Sequence, residues 1–149
     1  MKGVYRFIFF AISISFFISS CKKDGVSNAK KYAGVYVGDV SKVEFSGGSG
    51  SVVKTTVVKN CTIIITSTDN AGQVTVETDK IFYQKMIGSI NGENLTLTQK
   101  ESSSSGIKIL KSYGSASFSG NTINIDFKSD DTENGNLYYQ NRWTGSLKK

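Results

Sequence analysis

From Tyr32 onward apolar and polar residues alternate one by one, and this period narrows the available folds more than any other feature of the chain. Val74, Val76 and Thr78 alternate with Thr75 and Glu77. Leu95 and Leu97 alternate with Thr96 and Thr98, and Ile123, Ile125 and Phe127 with Thr122, Asn124 and Asp126. Successive side chains on a strand point to opposite faces, so each run has one wet face and one buried face. No stretch keeps a helical period. Turn-forming clusters separate the runs at 46–50, 69–72, 91–92, 102–106, 119–121 and 130–136. Asn91-Gly92 is the clearest mark of a tight hairpin, because Asn-Gly favours positive φ at both central residues of a two-residue loop. Strands are expected over 33–45, 51–59, 61–67, 73–78, 81–90, 94–100, 107–118, 122–128 and 137–147. Proline is absent and glycine numbers 15, in keeping with β structure joined by short turns. A meander of this length must close on itself or split into two sheets, and closure removes exposed edges. The expected fold is therefore all-β, an antiparallel meander closed into a barrel of about eight strands.

The first 20 residues have a different character. Lys2 and Arg6 precede a short apolar run, Phe7 to Ile18, and Ile18-Ser19-Ser20-Cys21 fits a lipobox: an aliphatic residue, two small ones and cysteine. A membrane span needs about 20 apolar residues, and this run is short and interrupted by Ser13 and Ser15. Residues 1–20 thus read as a lipoprotein signal peptide, 21–31 as a polar acylated tether, and 32–149 as one β-barrel domain. Lipidation is expected on Cys21, with palmitate or similar chains holding the protein to a membrane of the cell envelope, most simply the outer membrane.

Composition closes off several chemistries. There is no histidine, which removes Ser-His-Asp triads, Cys-His dyads and histidine metal sites together. Once Cys21 is a thioether, Cys61 has no partner, and at the head of the run Cys61-Thr62-Ile63-Ile64 it reads as a small buried hydrophobe. The formal charge of +6 falls by two when Lys2 and Arg6 leave, and the remaining lysines are scattered, so no nucleic-acid footprint is visible. Asp130, Thr132, Asn134 and Gly135 occupy calcium-loop places, but the position that should carry a bidentate Glu is Asn141, and a hydrated hairpin loop is the simpler reading. Asp39, Glu44 and Glu77 show no partner carboxylate for acid–base work. The chain reads as non-enzymatic, with no cofactor and no metal.

The segments Tyr32-Ala33-Gly34-Val35-Tyr36-Val37-Gly38, Gly88-Ser89-Ile90-Asn91-Gly92, Gly114 to Asn121 and Trp143-Thr144-Gly145 give the chain an order of pieces that resembles the small lipocalin-like lipoproteins of Bacteroidetes. In lipocalins a Gly-x-Trp opens the first strand and a late Arg stacks on that Trp at the barrel base. Gly34 keeps its place here, Tyr36 stands where the Trp would be, and Arg142 is the late Arg. The resemblance therefore implies first-to-last strand closure with Arg142 over Tyr36.

A barrel of this size either fills its interior or holds one small ligand. Tyr36, Phe82, Phe118, Arg142 and Trp143 are the candidate interior or closure residues. The expected function is binding, of a small apolar ligand inside or of an envelope protein outside. The alternative is a filled barrel serving as a structural or docking subunit. A cavity above about 300 Å³ favours the ligand; a packed interior favours docking.

Overall fold

The computed structural model describes residues 24–104 and 108–149. Cys21 and the signal segment lie outside the described residues. A helix, α1 (Asp24–Tyr32), leads into eight strands: β1 (Gly34–Ser46), β2 (Val52–Ser67), β3 (Gln73–Thr78), β4 (Met86–Asn91), β5 (Asn94–Ser104), β6 (Lys108–Ser119), β7 (Thr122–Glu133) and β8 (Asn136–Lys148). Each strand pairs antiparallel with the next, and β8 pairs back onto β1, so the sheet closes as a barrel. Val37 stands opposite Lys148 across this seam and Lys42 opposite Trp143. No helix among the described residues is long and apolar enough to cross a membrane.

Three differences from the sequence expectation have local causes. The two strands expected on either side of residue 60 are one strand, β2, with a bulge. Asn60 takes φ 50°, its N–H donates to Asp39 Oδ1, and the register to β1 slips between Gly38 and Val40. The extra residue exchanges the faces. Below it Cys61, Ile63 and Ile65 are buried; above it Val58 is the residue turned toward the core.

The second difference is at 79–85, which connects β3 to β4 where a strand had been expected from 81. The Thr78 hydroxyl receives the Phe82 N–H at 2.7 Å, a side-chain bond that competes with the ladder. The third is α1, which occupies most of the expected tether. Its Ala29 and Tyr32 are buried, the Tyr32 ring stacks on Phe118 at 4.1 Å, and the Tyr36 hydroxyl donates to the Tyr32 carbonyl. α1 thus plugs the end of the barrel where β1 begins.

That end, called lower here, is filled by Val74, Val76, Leu95, Ile123, Leu147 and their neighbours, all nearly without solvent contact. The upper end is built differently. β3 and β4 are six residues each, so β2 meets β3 only over Ile63–Ser67 and β5 meets β4 only over Asn94–Leu97. Above that level six strands remain, with a side opening between the free stretches of β2 and β5. The 79–85 connection lies across its base: Lys80 Nζ donates to the carbonyls of Lys59 and Asn60, and Lys100 Nζ to that of Lys85.

Turns follow the chemistry of their residues with one exchange. Between β7 and β8, Asn134 and Gly135 both take positive φ, as a type I′ turn requires. Between β4 and β5 the central residues are Gly92 and Glu93 rather than Asn91 and Gly92, and only Gly92 is positive, as in a type II′ turn.

Gly114 on β6 has φ +148°, and a Cβ there would sit 2.5 Å from the Asp126 carbonyl oxygen and 2.8 Å from Phe127 Cα. Both obstacles are backbone, which cannot rotate away. Gly114→Ala should lower unfolding free energy by about 1–3 kcal/mol, the usual penalty for overpacking, in a denaturant titration followed by circular dichroism. An unchanged midpoint would mean that β6 and β7 are not this close.

Candidate functional site

The inward period of the upper strands carries polar side chains. Trp143 and Asn141 on β8, Ser129 and Asp131 on β7, Ser112 and Leu110 on β6, Ser102 on β5 and Lys42 on β1 share one cavity with residues 80–84. Its volume is about 440 Å³. Register puts the deepest of these in two neighbouring rows: Lys42 opposite Trp143, and, two residues along, Ser112 opposite Ser129 and Ser129 opposite Asn141. Phe82 closes the floor from the connection, 5.4 Å from the Phe127 ring and edge-on to Trp143 at 6.0 Å. Ile81 and Phe82 are buried, whereas Tyr83 at the mouth is fully exposed.

The polar content of this cavity is unusual in being partly unanswered. Ser112 and Ser129 are the buried polar residues among those described, and both line it. Among the described residues, Gln84 Nε2 and Trp143 Nε1 are the buried side-chain atoms without a hydrogen-bond partner, and both belong to lining residues. Each such donor costs about 1–3 kcal/mol when left unpaired. The charged groups are mostly engaged: Lys42 Nζ is 2.8 Å from Glu44 Oε1, and Lys80 Nζ is held by its two carbonyls. Lys42 Nζ also lies 5.8 Å above the Trp143 ring. Asp131 makes no ion pair among the described residues.

The sequence candidates separate into three places. Phe82 and Trp143 line the cavity. Tyr36 and Phe118 belong to the lower core, where burial pushes the Tyr36 hydroxyl above its ordinary pKa. Arg142 is on the outer face, and the stacking on Tyr36 implied by the lipocalin resemblance does not occur. Neighbours on a strand face opposite ways, so an inward Trp143 sends Arg142 out. Arg142 instead forms two hydrogen bonds with Asp126, at 2.8 and 2.7 Å, which hold the Asp126 carboxyl below its usual range. The cation over Tyr36 is Lys149, 6.0 Å from the ring centre.

Elsewhere several carboxylates have structural partners. Asp39 meets Lys59 and the Asn60 N–H, Glu77 meets Lys85, and Asp130 accepts from the Tyr113 hydroxyl and Gln140 Nε2. Asp130 and Thr132 therefore lie within β7, and the sequence that imitates a calcium loop is a strand end and a two-residue turn. Cys61 is fully buried, and burial first, then the nearby Asp79, pushes its thiol up to about 12, far from a nucleophile's range.

Lys42, Gln84, Ser112, Ser129, Asp131 and Asn141 were not among the sequence candidates. The signal was present for four of them. The period that buries Ile123, Ile125 and Phe127 continues through Ser129 and Asp131, and that of Phe118 and Ala116 runs back through Ser112; Asn141 is in phase with Trp143. Gln84 lies outside any strand and gives no such sign. No protein-family model matches this chain, and no curated protein matches it.

Proposed function

We propose that this protein is a lipid-anchored, non-enzymatic binding protein of a bacterial envelope, and that its ligand is a small molecule held in the upper half of the barrel. The observation that carries the reading is the cavity of about 440 Å³ above a filled lower core, within the range of about 300–1,000 Å³ typical of small-molecule sites. A docking subunit has no use for such a space. The side opening between β2 and β5 offers an entry that need not disturb the ladder, and the aromatic floor of Phe82 and Trp143 receives the apolar part of a guest. The absence of histidine in the chain and the structural partners of Asp39, Glu77 and Asp130 outside the cavity favour binding over turnover. The N-terminal lipobox supports an acyl anchor on Cys21, with the lower, helix-plugged end nearest the membrane.

The test is native mass spectrometry of the full chain extracted from its host in mild detergent, beside a Ser129→Trp variant that fills the cavity. A small-molecule adduct on the wild type that disappears from the variant is the expected result. An adduct retained by a folded Ser129→Trp, or none on the wild type, overturns the cavity as the binding site.

A further inference from the structure

We propose that the ligand is a neutral polyhydroxylated small molecule, a monosaccharide or sugar alcohol, rather than the apolar compound expected from sequence; this rests on the binding reading above. The grounds are what the cavity wall can and cannot satisfy by itself. Trp143 Nε1 and Gln84 Nε2 can only donate, and both are buried with no acceptor. Asp131 can only accept, and it forms no ion pair among the described residues. Ser112, Ser129 and Asn141 do both, and Asn141 Nδ2 reaches Ser129 Oγ only at the limit of a hydrogen bond, 3.5 Å. A guest that answers this wall must accept at the floor and donate toward Asp131 within one small volume.

Hydroxyl groups on adjacent carbons do so, because each accepts and donates at once. A hydrocarbon guest would leave all these groups unanswered and add the loss of their contact with water. An anionic guest meets the opposite difficulty: Asp131 faces the same space, Lys42 already has Glu44, and Lys80 already has two carbonyls. The remaining wall, Ile81, Phe82, Leu110 and the exposed Tyr83, is apolar and aromatic. It suits the C–H faces that a sugar ring presents between its hydroxyls.

Trp143 is the only tryptophan, so its emission reports on this cavity alone. The full chain in detergent is titrated with the common aldohexoses, N-acetylhexosamines and hexitols, and separately with decanoate and glutarate. At least one polyhydroxylated probe should give a saturable change in emission, weakened tenfold or more by Asp131→Ala and by Ser129→Val, with the melting temperature of both variants close to that of the parent. A saturable response to decanoate or glutarate with none to any polyhydroxylated probe overturns the ligand class while leaving the cavity reading intact. A sugar response that both variants retain at full strength places the site elsewhere and also overturns the proposal. If no probe changes the emission and the wild type carries no adduct in native mass spectrometry, the ligand class and the cavity reading fall together.

Discussion

Trp143→Ala should remove about 3–5 kcal/mol of stability, the usual cost of truncating a buried Trp, from a total expected at about 5–15 kcal/mol. Trp143 is 5% exposed, packs against Phe82, and stands opposite Lys42 on β1 and Phe127 on β7, so it joins the closing seam to its neighbour. Its loss would enlarge a cavity that already exists above it, with little chance of collapse. Trp143→Phe should cost much less: it keeps most of the volume and deletes the unpaired indole N–H, an offset of about 1–3 kcal/mol. Tyr138→Ala, at a 58% exposed position, should stay within about 0.5 kcal/mol. Chemical unfolding followed by circular dichroism measures all three. A Trp143→Ala midpoint equal to that of Tyr138→Ala would remove Trp143 from its place at the seam.

The second large effect concerns the anchor. Cys21→Ser should move the protein from the membrane fraction to the aqueous one almost completely. The three acyl chains of the anchor proposed at Cys21 would, at about 0.8 kcal/mol per buried methylene, make release negligible, and the variant could carry none. The matching observation is a shift in mass: the parent lacks residues 1–20 and gains acyl groups, while the variant gains none. A variant that stays in the pellet would show instead that Phe7 to Ile18 is an uncleaved anchor.

How far the chain announces its fold depends on whether a residue's neighbours in sequence are also its neighbours in space. The strands are visible because alternation is a local property: Gln73–Thr78 has the bounds expected of it and β8 runs one residue further at each end, whereas β7 runs five residues past its expected end, to Glu133, through polar residues that read as a turn. Asn60 is different. A bulge and a strand break leave the same local mark, a polar residue between two apolar runs, and only the Asp39 contact 21 residues away tells them apart. Helix α1 is equally hidden, because Ala29 and Tyr32, the buried side chains among those described, set no period; the barrel end they cover supplies the reason for the helix. At Arg142 the parity with Trp143 is legible in the sequence, and it opposes the placement that the resemblance implies. The polar site residues are hidden for a related reason. Ser112, Ser129 and Asp131 continue an inward period but are polar, and in a period of two a polar residue reads as the wet face.

The seam between β1 and β8 also determines how the barrel would bear a load. A pull on the N-terminal end passes through α1 into β1, which is bonded to β2 from Gly34 to Phe45 and to β8 from Val37 to Ser46. Hydrogen bonds in an antiparallel pair lie across the strand, so force along β1 shears two ladders at once instead of peeling either bond by bond. α1, held by Ala29 and Tyr32 among its described side chains, is the part that would give way first. The protein would then behave as a short extensible leader on a stiff ring, with the cavity at the end of the barrel opposite the point of traction.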